Sequence, residues 1–152
     1  MTTILACDPG LATGFCEFSG VKGQSHAYVV CGECAPNEWV DLLYERLATG
    51  AVDAVVCENF FITMRTAQLT QAPWSLELIG VARHACRRNG NVPFVTQSPA
   101  DAKMFATDER LQRVGWIMRG ATDHARDAQR HALLYLIKQG WTEEELTLSV
   151  KK

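Results

Sequence analysis

Two acidic side chains in this chain directly follow short apolar runs, where an unpartnered carboxylate is unfavourable. Asp8 follows the apolar residues 4–7 (ILAC), and Glu58 follows residues 54–57 (AVVC). Short apolar runs bounded by turn residues predict buried strands. A buried carboxylate needs a cation or a hydrogen-bond donor beside it. Because parallel strands end at the same edge of a sheet, we expect Asp8 and Glu58 to lie close together at that edge.

A third acidic element occurs late in the chain, where His124 and Asp127 are three residues apart. On a helix these two positions share one face. Carboxylates gathered at one sheet edge predict a site for Mg²⁺, with Mn²⁺ as the alternative ion, because both prefer oxygen ligands. Two such ions about 4 Å apart can activate water and stabilise the leaving oxygen of a phosphodiester. His124 could act there as a ligand or a proton carrier.

Each of these features also has a simpler interpretation when it is taken alone. The Asp8-Pro9-Gly10 segment could be only a turn after a strand. Glu58 could pair with an arginine near a loop, and His124 and Asp127 could belong to a solvated helix face. The prediction of a metal site therefore rests on the combination, because one sheet edge could gather all of these side chains.

The elements expected to position these residues are three consecutive strands, followed by alternating strands and helices. We predict strands at residues 2–7, 13–19, 26–31, 54–57 and 93–96. We predict helices at residues 37–48, 73–88, from 98, from 107 and at 122–138, with a capping box at 142–145. This order predicts a single α/β domain over residues 1–152, with a mixed five-stranded sheet flanked by helices.

Length and composition are those of an ordinary globular domain, with 152 residues of which 47% are hydrophobic. We expect no signal peptide and no membrane-spanning segment, and therefore a cytoplasmic protein with reduced cysteines. Cys31 and Cys34 form a lone CxxC pair, placed after a predicted strand. A structural zinc site needs four ligands, so an ordinary packing role is the favoured interpretation of this pair.

The charges are unevenly distributed along the chain. Residues 1–60 hold two basic and eight acidic side chains, a net charge of −6, and residues 61–152 hold thirteen basic and nine acidic side chains, a net charge of +4. Nucleic-acid binding depends on local basic patches rather than on the total charge of −2. The basic second part of the chain is thus compatible with a DNA partner.

These motifs together resemble the RuvC family of Holliday junction resolvases, within the RNase H-like superfamily. The resemblance extends over almost the whole chain through the order of strands and motifs. It is carried by Asp8 of the Asp-Pro-Gly turn, Thr13-Gly14 at the start of the second strand, Glu58, and His124, Asp127 and Ala128 on the last helix. The turn between Asp8 and Thr13 is one residue shorter than the usual pattern.

The resemblance implies an RNase H-like fold and a Mg²⁺-dependent endonuclease that cuts branched DNA at four-way junctions. It implies that the catalytic and metal-binding residues are Asp8, Glu58, His124 and Asp127. The expected DNA contacts are Phe61, Arg65, Lys103, Arg110 and Arg113. Phe61 matches an aromatic near the crossover, Lys103 matches a lysine near the scissile phosphate, and Phe60 could be the exposed ring instead of Phe61. The compact chain suggests a phage-type enzyme that acts in the cytoplasm of a bacterial host.

A homodimer is the expected assembly, because paired cuts in a two-fold symmetric junction need two active sites. The candidate dimer element is the helix at 73–88, which places Leu76, Ile79 and Ala82 on one stripe.

Other functions remain open from the sequence. One is an RNase H-like nuclease for forks, flaps or RNA–DNA hybrids. An actin-like ATPase or sugar kinase would need a second similar domain, for which the chain is too short. A non-catalytic DNA-binding module is disfavoured, because carboxylates without metal repel phosphate.

Overall fold

A five-stranded sheet is the centre of the protein. The structure is a computed structural model that describes residues 1–25, 27–64, 72–117 and 121–148. The strands are β1 (Thr2–Asp8), β2 (Thr13–Gly20), β3 (Tyr28–Cys34), β4 (Ala54–Glu58) and β5 (Phe94–Gln97). Their order in the sheet is β3-β2-β1-β4-β5, with β2 antiparallel to both β1 and β3, and β4 parallel to both β1 and β5. The predicted mixed sheet is confirmed.

Helices follow or separate the strands as predicted. They are α1 (Pro36–Ala48), α2 (Ala72–Arg88), α3 (Pro99–Phe105), α4 (Asp108–Arg113), α5 (Asp123–Lys138) and α6 (Glu143–Leu146). The hydroxyl of Thr122 accepts a hydrogen bond from the Ala125 N–H, which fixes the start of α5. The expected cap of α1 at Asn37 is wrong. The helix already begins at Pro36, because the Glu38 carboxylate accepts the N–H of Ala35 at 2.8 Å.

Strand β3 continues to Cys34, three residues beyond the predicted end at residue 31. Cys31 pairs with Cys16 and Cys34 pairs with Thr13 in the β2–β3 ladder. The CxxC segment therefore lies within β3, not after it. His26, the predicted first residue of this strand, lies outside the described residues. All six cysteines fall in the described ranges and are free thiols.

The sheet has a separate apolar core on each face, because successive side chains of a strand point to opposite sides. On one face Ile4 and Phe18 pack with residues of α5, including Leu133. On the other face Leu5 packs with residues of α1 and α2, including Trp39. Helix α5 thus lies against one face of the sheet, across β1 and β2. In the part of the chain that the structure describes, no helix is both long and apolar enough to cross a bilayer.

The expected dimer stripe on α2 is mainly part of the domain's own core. Ile79 and Ala82 are buried in the cluster beneath α1 and α2, so they are not available to a second copy. Their burial corrects the sequence interpretation, since a stripe of apolar residues indicates that a face is covered but not what covers it. Leu76 and Trp74 remain exposed on this helix.

Candidate metal centre

Three carboxylates from separate elements converge at one edge of the sheet. Oxygen atoms of Asp8, Glu58 and Asp127 all lie within 4.8 Å of one another. Asp8 ends β1 and Glu58 ends β4, which run parallel with Cys7 opposite Cys57. Asp127 reaches the same point from the second turn of α5. The structure therefore brings together three of the four residues predicted to bind metal.

The turn that follows Asp8 is fixed by hydrogen bonds on both sides. The Thr13 hydroxyl donates to the Gly10 carbonyl at 2.8 Å and accepts from the Gly10 N–H at 3.3 Å. From α2, the Ser75 hydroxyl donates to the Pro9 carbonyl at 2.7 Å. These hydrogen bonds fix the conformation of the short turn between β1 and β2, and they thereby fix the position of Asp8 at the end of β1.

Asp8 is buried beside another carboxylate, and this raises its pKa. Burial is the larger cause and the neighbouring charge of Glu58 is the next; the hydrogen bond from His124 opposes both. His124 Nδ1 lies 2.8 Å from Asp8 Oδ2, and this hydrogen bond raises the pKa of His124. His124 thus lies beside the carboxylate cluster as a partner of Asp8, while half of its side chain surface (50%) remains exposed.

The burial of Asp8 beside Glu58 predicts an effect on stability. Because its folded-state pKa is raised, its contribution to stability is fully present below the unfolded pKa and is lost as the pH rises through the folded value. At neutral pH, Asp8→Asn should therefore raise the Tm of the metal-free protein. A gain of 1 kcal/mol corresponds to about 2–4 °C for a chain of this length. Differential scanning fluorimetry in EDTA tests this, and a lower Tm for Asp8→Asn would contradict it.

Two cations compensate the charge of Asp127. Lys103 Nζ lies 2.9 Å from Oδ2, and a guanidinium nitrogen of Arg130 donates to Oδ1. Arg130 also contacts Asp108 at 2.5 Å and donates to the Ala106 carbonyl at 3.2 Å. The hydrogen bond with Asp127 raises the pKa of Lys103. Asp127 is therefore oriented through α3 and α4 as well as by its own helix.

Glu58 has a partner that the sequence interpretation missed. His131 Nε2 lies 2.9 Å from Glu58 Oε2, and its Nδ1 lies 3.0 Å from Gln97 Oε1. A signal was present, because His131 is four residues after Asp127 and shares its helix face. Gln97 ends β5 directly opposite Glu58 in the ladder. Arg130, three residues after Asp127, was also not predicted as part of the site. The side chains of Asp127 and Arg130 are each only 14% exposed, so the interpretation of Asp127 as part of a solvated helix face is wrong.

The predicted DNA contacts fall into different surroundings. Phe61 is exposed (55%), whereas Phe60 packs partly against the core under α1, so Phe61 is the exposed ring. Arg110 is bonded to Glu143 at 2.5 Å and lies over the ring of Phe105, which gives it a structural role.

The other basic residues predicted to contact DNA differ in how far their charged groups are free to reach it. Arg113 contacts the same Glu143 at 3.3 Å but is largely exposed. Lys103 extends to Asp127 at the metal centre. Arg65 lies outside the described residues.

The arrangement suits a hard divalent cation. The cluster offers carboxylate oxygens alone, the donor set of Mg²⁺ and Mn²⁺ rather than of zinc or copper. The raised pKa of Asp8 reflects first its burial and then the charge of Glu58, and a bound cation would offset both. Asp8, Glu58 and Asp127 are thus the residues that would hold the ion, with His124 at its edge.

No protein-family model matches the sequence, and no curated protein sequence matches it. Solved structures do resemble it. RuvC of Thermus thermophilus aligns with a TM-score of 0.63 at 20% identity, over 92% of this chain and 98% of that one. A fowlpox virus resolvase aligns with a TM-score of 0.60 at 12% identity, over 91% and 99%. The yeast mitochondrial Holliday junction resolvase aligns with a TM-score of 0.53 at 15% identity, over 96% and 80%. At these identities the likeness establishes the fold, and this chain has the RNase H-like fold that RuvC also has.

Proposed function

We propose that this protein is an endonuclease that resolves four-way DNA junctions by divalent-metal-dependent hydrolysis. The observation that carries the proposal is the convergence of Asp8, Glu58 and Asp127 at one edge of an RNase H-like sheet. Two of the similar proteins, Thermus thermophilus RuvC and the fowlpox virus resolvase, were solved with Holliday junction DNA. Branched DNA is accordingly the proposed substrate, and Mg²⁺ the proposed ion, with Mn²⁺ able to replace it.

The residues around the cluster have distinct proposed roles. When bound, divalent ions supply the positive charge that polarises the phosphodiester and activates a water for attack. His124 has Nδ1 occupied by Asp8, so Nε2 is the nitrogen with which it would carry a proton. Lys103, which contacts Asp127 in the DNA-free protein, would contact the phosphate next to the ion when DNA binds.

The proposed DNA surface surrounds this site. The proposed contacts are Phe61 and Lys103, with Arg113 and Arg65 as further phosphate contacts; Arg65 lies outside the described residues and is proposed from the sequence alone. Arg110 is a weaker candidate because Glu143 already neutralises it.

The proposed assembly is a homodimer, which brings two sites to the two strands that must be cut. Trp74 and Leu76 are the exposed large apolar residues of α2 among the side chains that the structure describes, and they would contribute to such an interface. We further propose a phage-type enzyme that works in the cytoplasm of a bacterial host.

Cleavage of a synthetic four-way junction tests the proposal most directly. Labelled junction, nicked junction, fork, flap, linear duplex and RNA–DNA hybrid are incubated with the protein in Mg²⁺ or in EDTA. We expect symmetric, Mg²⁺-dependent cuts in the junction and little cleavage of linear duplex. Preferential cutting of forks, flaps or hybrids would instead assign another RNase H-like nuclease activity. Binding without cleavage in either ion would indicate a non-catalytic module.

Lys103→Ala is expected to reduce junction cleavage by about tenfold or more while raising the junction Kd by no more than about threefold. The ammonium group lies 2.9 Å from Asp127, at the proposed ion site, whereas it would be one of many phosphate contacts in binding. Single-turnover rates and gel-shift titrations measure the two effects. Lys138→Ala, in the last turn of α5, removes the same charge as a control. Equal losses of cleavage and binding would place Lys103 on the general DNA surface.

Phe61→Ala is expected to slow cleavage of intact junctions more than cleavage of nicked ones. Its exposed ring follows Glu58 by three residues and could stack on a base at the crossover, an interaction of about 1–3 kcal/mol. A nicked junction is already flexible and needs this contact less. Phe60→Ala is the matched control, because its partly packed ring should affect Tm first. A loss at Phe61→Ala that is equal on both substrates would refute a role at the crossover.

A further inference from the structure

His131 is a buried imidazole that connects a candidate metal ligand to the neighbouring strand. Its residue exposure is 1%, and both of its ring nitrogens have partners: Glu58 Oε2 at 2.9 Å and Gln97 Oε1 at 3.0 Å. Glu58 and Gln97 are opposite each other at the ends of β4 and β5. The contact therefore links three elements, with α5 supplying the ring that spans the two strand ends.

The direction of the hydrogen bond to Glu58 follows from the chemistry of the partners. An ionised carboxylate can only accept, so His131 Nε2 must carry the proton that faces it. If the amide group of Gln97 is rotated by 180°, its nitrogen faces His131 and Nδ1 accepts a hydrogen bond from it. If Oε1 faces the ring, Nδ1 must carry a proton as well and the ring is charged. When Oε1 faces the ring, Gln97 Nε2 is buried with no hydrogen-bond partner among the described residues, which favours the rotated amide. In either case Nε2–H donates to Glu58.

A fixed donor on Oε2 has a consequence for how Glu58 can bind an ion. It holds the carboxylate in one orientation and disfavours use of both oxygens by the same cation. Mg²⁺ requires near-octahedral, single-oxygen ligands, whereas Ca²⁺ is larger and accepts bidentate carboxylates. The hydrogen bond thus favours the smaller ion.

The two histidines of α5 differ in their surroundings. His124 meets Asp8 with half of its side chain exposed, so it can move and exchange protons with solvent. His131 is enclosed and has no access to a substrate, so a direct part in the reaction is excluded. Hydrogen bonds behind a metal ligand commonly change metal affinity or activity by about 10–100-fold.

We infer that His131 is a positioning residue that orients Glu58, anchored in turn by Gln97, and that this contact makes the site selective for Mg²⁺ over Ca²⁺. The inference rests on the proposed metal site and deepens it.

Two matched substitutions separate the contact with Glu58 from the mere filling of space. In His131→Gln the amide nitrogen can reach the position of Nε2 and retain the donor to Glu58. In His131→Asn the amide reaches only the position of Nδ1, so it can retain Gln97 but not Glu58. Both variants keep a polar amide in the same buried place. Their Tm values in EDTA report any structural effect separately.

Metal binding is measured on the DNA-free protein through the electron paramagnetic resonance signal of free Mn²⁺, with Mg²⁺ and Ca²⁺ as competitors. We expect His131→Asn to weaken Mg²⁺ binding by about 10–100-fold. Ca²⁺ binding should weaken by a smaller factor, so that the Mg²⁺ to Ca²⁺ preference falls. His131→Gln should stay within about threefold of the unchanged protein for both ions. Equal metal binding by the two variants would overturn the inference, as would an unchanged ion preference in His131→Asn.

Gln97→Met covers the case in which His131→Asn does not fold. It removes the anchor behind His131 and leaves the ring in contact with Glu58, so the preference for Mg²⁺ should fall partway. An unchanged preference in Gln97→Met would then refute the inference. Failure of the metal site itself has a different signature: the unchanged protein would bind no Mn²⁺, or Asp8→Asn would bind it equally well.

Discussion

Asp8→Asn is expected to lower the rate of junction cleavage by about three orders of magnitude while leaving junction binding equal or tighter. The substitution removes one of three carboxylates that lie within 4.8 Å of one another, and with it much of the attraction for the ion. Asparagine keeps the size of the side chain and can still bond to His124. Loss of a negative charge also reduces repulsion of the scissile phosphate, so the affinity for DNA should not fall.

The measurement compares single-turnover cleavage in Mg²⁺ with junction Kd in EDTA. Asp41→Asn is a suitable control, because it makes the same change of charge on the exposed side of α1, on the opposite face of the sheet from α5. Retained cleavage by Asp8→Asn at a rate near that of the unchanged protein would refute the assignment of the metal site. Loss of both cleavage and binding would indicate that Asp8 acts through the fold instead.

The three carboxylates of the site could be predicted from patterns within short segments of the sequence. Asp8 and Glu58 each end an apolar run, and parallel pairing of β1 with β4 then requires them to meet. The expectation for Asp127 needed only the helix period and the cap at Thr122. The identity of the fold came from the resemblance of the motifs, since element order alone is compatible with several arrangements of the sheet.

The remaining features depend on contacts between distant segments. That His131 faces Glu58 depends on the rotation of α5 over the sheet, and that Gln97 meets it depends on the register of β5. Ile79 was expected at a dimer interface, but it is buried in the core beneath α1 and α2. An apolar stripe in the sequence shows that a helix face is covered, but it does not show which element covers it. Arg110 was expected to meet phosphate, but Glu143, which lies 33 residues away, neutralises it in the folded chain.

Helix α5 can place His124 and Asp127 at the metal centre because its first turn packs very closely on β2. Gly14 is opposite Asp8 in the β1–β2 ladder. A Cβ atom at Gly14 would lie 2.0 Å from the carbonyl oxygen of His124 and 2.7 Å from the amide nitrogen of Ala125. Both are backbone atoms of the first turn of α5, which no rotamer change can move away. The absence of a side chain at Gly14 therefore allows the first turn of α5 to pack this closely on β2.

Gly14→Ala is expected to destabilise the protein by about 3 kcal/mol or more, because α5 must move away from the sheet or the strand must bend. Gly80→Ala on α2 is the matched control: its Cβ would meet no atom within 4 Å, and alanine in a helix should stabilise by up to about 1 kcal/mol. Urea denaturation measures both.

The same variant connects stability to activity. If Gly14→Ala folds, the displaced α5 carries His124 and Asp127 away from Asp8. Cleavage and Mn²⁺ binding should then fall at temperatures well below its Tm, whereas Gly80→Ala should keep both. A Gly14→Ala protein with unchanged stability would contradict the close packing of α5 on β2. A destabilised protein that still binds Mn²⁺ normally would mean that the carboxylates do not depend on this contact for their positions.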